Sequence, residues 1–77
     1  MNLLPRSLPN NIQSIIFNKK YYYPNDTKEV LNNLKIKPIK DIHETKNYYR
    51  YRINNPNKDK KYRTYDTGYG IKIVYYI

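Results

Sequence analysis

Lys46-Asn47-Tyr48-Tyr49-Arg50-Tyr51-Arg52-Ile53 is the stretch on which the fold turns. Tyr49, Tyr51 and Ile53 fall on one side of it; Tyr48, Arg50 and Arg52 fall on the other. A period of two is that of a strand half-buried against a core. The same rhythm returns downstream. Asn54-Asn55-Pro56-Asn57 is a turn cluster, and Lys58-Asp59-Lys60-Lys61 makes the connection basic. Tyr62 to Thr67 reads as a second alternating strand. Gly68-Tyr69-Gly70 reads as a tight turn, because glycine takes positive φ without steric cost. Ile71 to Ile77 then sets Ile71, Ile73, Tyr75 and Ile77 against Lys72, Val74 and Tyr76. These three strands are expected to form an antiparallel meander.

Upstream, Ile12 to Phe17 is apolar and β-branched, with Ile12, Ser14 and Ile16 on one face and Gln13, Ile15 and Phe17 on the other. This predicts a strand buried on much of both faces. Tyr21-Tyr22-Tyr23-Pro24 does not continue it, because proline lacks the ladder donor. Asp26 and Glu29 stand three apart, the spacing of an N-cap and its reciprocal partner. Val30, Leu31 and Leu34 share one helical stripe. A short helix from about Thr27 to Lys35 follows, and Pro38 bars its extension. Ile36 to Thr45 is a connector. Met1 to Asn10 carries two prolines and little pattern, and reads as an extended arm. The expectation is one α+β domain over residues 11–77. It has a small, mainly antiparallel sheet of three or four strands in β-α-β-β-β order, with one short helix packed on one face.

A chain of 77 residues has room for one compact domain. It contains no cysteine, so neither disulfides nor thiolate ligands staple it. That composition fits an intracellular or particle-borne protein better than a small secreted one. No run approaches the roughly 18 apolar residues of a membrane span, and Met1 to Arg6 lacks the apolar region of a signal peptide. A soluble protein that is not secreted is expected. The formal net charge is +9, which favours polyanionic partners: nucleic acid first, then an anionic membrane surface or an acidic protein. Asn, Lys, Ile and Tyr supply more than half of the chain. All four have A/T-rich codons, so genome bias alone can raise the lysine content.

Four pieces occur in fixed order: Asn11-Ile12-Gln13-Ser14-Ile15-Ile16-Phe17; Asn47-Tyr48-Tyr49-Arg50-Tyr51-Arg52; Lys61-Tyr62-Arg63-Thr64; and Gly68-Tyr69-Gly70-Ile71-Lys72-Ile73-Val74. Together they resemble a family of small α+β domains. That family occurs as short proteins of giant DNA viruses of the mimivirus type and as a domain attached to tailed-phage proteins. The resemblance runs from about Asn11 to Val74. Two features depart from the family pattern: the helix region is shorter and richer in Asn, and Ile53 stands where a polar residue often follows the second arginine. The resemblance implies a viral setting, in the host cell (viral factory or cytoplasm) or packaged in the virion. It also implies a β-α-β-β-type sheet, and it draws attention to Arg50, Arg52 and Arg63. It brings no established activity with it.

Catalytic chemistry finds little footing. His43 is the only histidine, so a two-histidine metal or nuclease site cannot be built. Ser7 and Ser14 have no sequence context for activation by a base. Gly68-Tyr69-Gly70 lacks the third glycine of a phosphate loop. His43 with Asp41 or Glu44 reads as a solvated loop before it reads as a metal site. No catalytic residue, metal or cofactor is expected. One enzyme reading survives by analogy with small basic toxin-type endoribonucleases, which cut RNA without a metal. Tyr49 to Ile53 and Ile73 to Tyr76 are similar to their strands, but those proteins place a helical hairpin before the sheet.

Binding has a firmer basis. The candidate nucleic-acid contacts are Lys46, Tyr48, Arg50, Arg52, Lys58, Lys60, Lys61 and Arg63, a run interrupted by one acid, Asp59. Arginine grips phosphate through a planar fork, and lysine adds point charge. Tyr48, on the face of Arg50 and Arg52, is placed to stack on an unpaired base, worth about 1–3 kcal/mol. The competing explanation is structural, since alternating Tyr and Arg also pack well across strands. Tyr21, Tyr22, Tyr23, Tyr75 and Tyr76 are candidate protein-interface anchors. They would suit another viral protein, such as a capsid subunit, or a second copy joined at an exposed edge strand.

Overall fold

The computed structural model describes residues 11–77. The arm expected over Met1 to Asn10 lies outside the described residues. The fold is α+β, with one short helix on a five-stranded antiparallel sheet. In chain order the elements are β1 (Ile12–Asn18), α1 (Pro24–Asn33), β2 (His43–Glu44), β3 (Tyr48–Arg52), β4 (Tyr62–Asp66) and β5 (Ile71–Tyr76). Across the sheet the order is β2-β3-β1-β5-β4.

That order corrects the meander. Of the three strands expected in it, only β4 and β5 form a hairpin with each other; β1 lies between β3 and β5 and pairs with both. The reason is apolar content. β1 carries Ile12, Ile15, Ile16 and Phe17 and is the most buried strand, and a central position shields it on both edges. The connector also hides a fifth strand, β2, which pairs with β3 through His43 opposite Arg50 and Glu44 opposite Tyr49. The chain from β3 to β4 must therefore cross the ends of β1 and β5. Ile53 and Asn54 donate their backbone N–H groups to the Gln13 carbonyl, and Asn54 Nδ2 donates to Ile12. The Tyr76 hydroxyl donates to the Asn55 carbonyl.

Residues directly opposite on paired strands share a face. Ile15, Phe17, Tyr49, Tyr51, Ile71 and Ile73 make one face, and all six are buried. Leu31 of α1 closes over them, with Val30, Leu34, Ile36 and Ile42 around it. Phe17 meets Tyr22 and Tyr51 edge to face, with ring centroids 5.4 and 5.9 Å apart. Ile12 belongs to this core too, although alternation puts it with Ser14 and Ile16. A bulge between Ile12 and Ser14 in the pairing with β5 shifts the register and turns Ile12 to the core side.

The helix starts earlier than the Asp26–Glu29 spacing suggests. Tyr23 is the N-cap and Pro24 the first helical residue, where its missing N–H costs nothing. Asp26 is therefore the reciprocal partner, and its carboxylate accepts from the Tyr23 N–H at 2.8 Å. At the other end Ile36 N–H bonds Leu31 O and Lys35 N–H bonds Asn32 O, a Schellman closure with Lys35 at φ 58°.

Candidate nucleic-acid interface

The sheet face away from α1 is the candidate interface. The ladder register lays its residues out in rows. One row runs His43, Arg50, Ile16, Lys72, Asp66; the next runs Arg52, Ser14, Val74, Thr64. Strands lie about 4.8 Å apart, so the Arg50 and Lys72 backbones stand about 10 Å from one another across β1. Arg50 and Arg52 are half-buried and Lys72 is exposed. Among the described residues the only ion pair is Lys19 with Glu44, at 2.7 Å. Arg50, Arg52 and Lys72 therefore form no ion pair among the described residues, and the carboxylate on this face is that of Asp66, opposite Lys72 across the β4–β5 ladder.

Gln13 orients Arg50. The bulge brings the Gln13 side chain to this face, where Oε1 accepts from Arg50 Nη2 at 3.2 Å and Nε2 donates to Asn54 O at 3.3 Å. Gln13 is itself buried. One nitrogen of the guanidinium is thus held, and four N–H donors of the fork remain for a ligand. Ser14, fully buried beside Arg52 in the same row, has a hydroxyl without a hydrogen-bond partner among the described residues.

At the end of this face nearest Asn18 lies a groove of about 590 Å³. Tyr21, Tyr48, Asn47, Asp66, Gly70 and Lys72 are among its lining residues. Tyr48 is 39% exposed and Tyr21 64% exposed. Gly70, at φ 77°, explains why Tyr21 lies there: a Cβ on residue 70 would stand 2.7 Å from Tyr21 Cδ2 and 3.2 Å from Tyr22 Cε2. The ring occupies space that any larger residue would take.

The eight residues singled out for nucleic acid do not all converge. Tyr48, Arg50 and Arg52 share the open face, with Lys46 just beyond its Asn18 end. Lys58 and Lys60 line a separate hollow of about 540 Å³ at the opposite end, with Asn55 and Tyr76. A five-residue strand spans about 17 Å, so the basic residues trace a strip of that length rather than a cluster. Lys61 adjoins β4 at the loop end. Arg63 leaves the set. It stands opposite Tyr75, in the alternation of Tyr65 and Ile73, and so faces the helix side. Lys72 and Tyr21 join the face instead.

The five tyrosines named as protein anchors also divide. The Tyr22 hydroxyl donates to Tyr69 O at 2.6 Å and its ring packs on Phe17. Burial, and the nearby Asp26 carboxylate, push the Tyr22 hydroxyl above its ordinary range. Tyr76 stacks at a tilt on Tyr62, 5.1 Å between centroids, and bonds Asn55. Both serve the fold. Tyr75 is half-buried on the helix side, whereas Tyr21 and Tyr23 are exposed, Tyr23 by 77%. His43 and Glu44 are exposed on β2, with Glu44 engaged by Lys19. No group of three His, Asp or Glu side chains comes together among the described residues. Nor is any described helix long and apolar enough to cross a membrane. Comparison with protein-family models, with curated proteins and with solved structures gives no match to this chain.

Proposed function

We propose that the open face binds single-stranded nucleic acid, without catalysis, gripping phosphates with Arg50, Arg52 and Lys72 and stacking an unpaired base on Tyr48 or Tyr21. One observation supports the reading most: three cations lie in adjacent rows on the sheet face opposite the helix, and among the described residues none forms an ion pair with a carboxylate. Basic and aromatic side chains interleaved on a sheet are the means by which single strands are held without reading sequence. Duplex recognition is less well served, because a flat strip of about 17 Å offers no element shaped to enter a groove. Lys46 at one end of the strip, and Lys58 and Lys60 at the other, extend the charge along the bound backbone. The viral setting, in the infected cell or in the particle, enters this proposal from the family resemblance alone.

The test is fluorescence anisotropy of labelled single-stranded RNA, single-stranded DNA and duplex DNA at about 50 and 200 mM salt. Micromolar or tighter binding to single strands is expected, weakened steeply by salt and lost in the Arg50→Ala/Arg52→Ala protein. No binding to any of the three at low salt would sink the proposal. Gel analysis of the RNA in the presence of chelator addresses the remaining enzyme reading. Intact RNA supports a binding role; cleavage lost with the two arginines would replace it with a ribonuclease.

A second reading is supported by Tyr23, which is 77% exposed beside the exposed Tyr21 at the start of the helix. Two accessible tyrosines two residues apart suit a protein partner. Complex formation that persists at high salt and fails in Tyr21→Ala/Tyr23→Ala would favour it.

A further inference from the structure

The two edges of this sheet are treated differently. Beyond β3, the short β2 pairs with the upper half of the strand and Ile39 N–H bonds Arg52 O at 2.9 Å in the lower half. That edge is covered. β4, at the other edge, pairs with no second strand among the described residues, and all five of its residues are exposed. Proteins usually blunt such an edge with proline, charged side chains, a bulge or a very short strand. Tyr62-Arg63-Thr64-Tyr65-Asp66 contains no proline, its two charges are of opposite sign, and its register with β5 runs without interruption.

The hydrogen-bond phase of the hairpin shows which backbone groups are free. Thr67 N–H bonds Ile71 O, and Ile77 N–H bonds Lys61 O. Bonded and non-bonded pairs alternate along an antiparallel ladder. Lys61, Arg63, Tyr65 and Thr67 therefore spend their backbone groups on β5, while Tyr62, Thr64 and Asp66 aim theirs outward.

We propose that β4 is a self-association edge, and that a second copy of this chain adds its own β4 antiparallel to it about a two-fold axis at Thr64. The pairing is self-complementary. Thr64 meets Thr64 of the second copy and Tyr62 meets Asp66, so every outward N–H finds an outward carbonyl. Between these bonded pairs Arg63 stands opposite Tyr65, a cation beside an aromatic ring. No like charges face one another at any position. The axis is normal to the sheet, so the two open faces continue on one side as a ten-stranded surface. The interface is smaller than a standard stable one, so the dimer is weak and concentration-dependent. Each copy carries a formal +9, so salt strengthens the dimer by screening. This is the reverse of its effect on phosphate binding, and the dimer stands or falls independently of that activity.

Sedimentation equilibrium of the full chain at low and high salt, from micromolar to millimolar, tests it. The expected result is a monomer–dimer equilibrium, tighter at high salt. Thr64→Pro removes an outward N–H that β5 does not use, so the hairpin stays and the dimer weakens by at least about tenfold. Thr64→Lys sets two ammonium groups across the axis and does the same. Thr64→Cys introduces the only thiol; a bonded pair at about 5.5 Å between Cα atoms is within reach of a disulfide, so it cross-links on oxidation. A monomer at every concentration and both salts overturns the proposal. So does a dimer that survives in whichever of Thr64→Pro and Thr64→Lys is folded.

Discussion

Thr27 Oγ1 lies 2.7 Å from the Tyr51 hydroxyl, and this buried contact ties the helix to the sheet. Thr27 Oγ1 is also 2.6 Å from Pro24 O, which can only accept. A threonine hydroxyl has one proton. Thr27 therefore donates to Pro24, and Tyr51 donates to Thr27. The two partners are unequal. Tyr51→Phe removes a donor and leaves Thr27 satisfied, so it should cost about 1 kcal/mol. Thr27→Val strands the Tyr51 hydroxyl in the core and should cost about 1–3 kcal/mol. Urea unfolding of both single variants and the double variant checks this. The double variant should be less destabilised than the two costs added together.

Lys35 holds the left-handed conformation that closes the helix, at φ 58°. A side chain there costs about 1 kcal/mol that glycine avoids. Lys35→Gly should therefore stabilise the protein by up to about 1 kcal/mol, offset in part by glycine's greater freedom in the unfolded chain. A shift of the urea midpoint to higher concentration at unchanged slope is the expected readout.

β3, β4 and β5 are legible because each alternates, and Tyr49, Tyr51, Ile71 and Ile73 are buried as their spacing implies. Their neighbours were not. Alternation gives a strand its two faces but not its place in a sheet, and only the packing of Ile15 and Phe17 between both neighbours sets β1 at the centre. The bulge at Gln13 was hidden for the same reason, since it exists only relative to β5. The candidate site inherits both limits. That Arg50 and Arg52 share a face is legible from alternation within one strand. Lys72 joins them only across β1, which no pattern within one strand reveals, and Arg63 faces the helix side because the β4–β5 register sets it opposite Tyr75. Asp26 marks a helix start in the sequence but stands at the third helical position, because the cap is Tyr23, a residue type that does not signal one.

Gly68 and Gly70 separate conformational cost from packing cost. Both have positive φ, 83° and 77°. A Cβ on Gly68 meets nothing within 4 Å, whereas one on Gly70 runs into Tyr21 and Tyr22. Gly68→Ala should cost about 1 kcal/mol from backbone strain alone. Gly70→Ala should cost more, and it should also displace the Tyr21 ring from the groove. Thermal unfolding of the pair, with tyrosine ring resonances of Tyr21 by NMR, checks both expectations.

Tyr22 predicts a loss of stability in alkali. Well below pH 10 its hydroxyl is protonated in both the folded and the unfolded chain, and stability does not depend on it. Above that value the unfolded chain releases the proton first, because burial and Asp26 raise the folded group. The unfolded state then binds fewer protons, so stability falls as pH rises from 10 through the higher folded value. Tyr22→Phe, measured by urea unfolding between pH 8 and 11, should show a shallower fall than the parent chain.

Lys72 and Arg63 make the sharpest comparison for the interface. Each is a single cation on an exposed strand position, but the register puts Lys72 on the face of Arg50 and Arg63 on the opposite side. If phosphates lie along the open face, Lys72→Ala removes one contact. The log–log dependence of single-strand affinity on salt should become shallower by about 0.7. Arg63→Ala changes net charge by the same amount but should leave that slope nearly unchanged and weaken affinity only through the general field. Equal effects from the two substitutions would mean that the protein attracts nucleic acid by its total charge, with no defined face. A larger effect from Arg63 would move the contact surface to the helix side of β4.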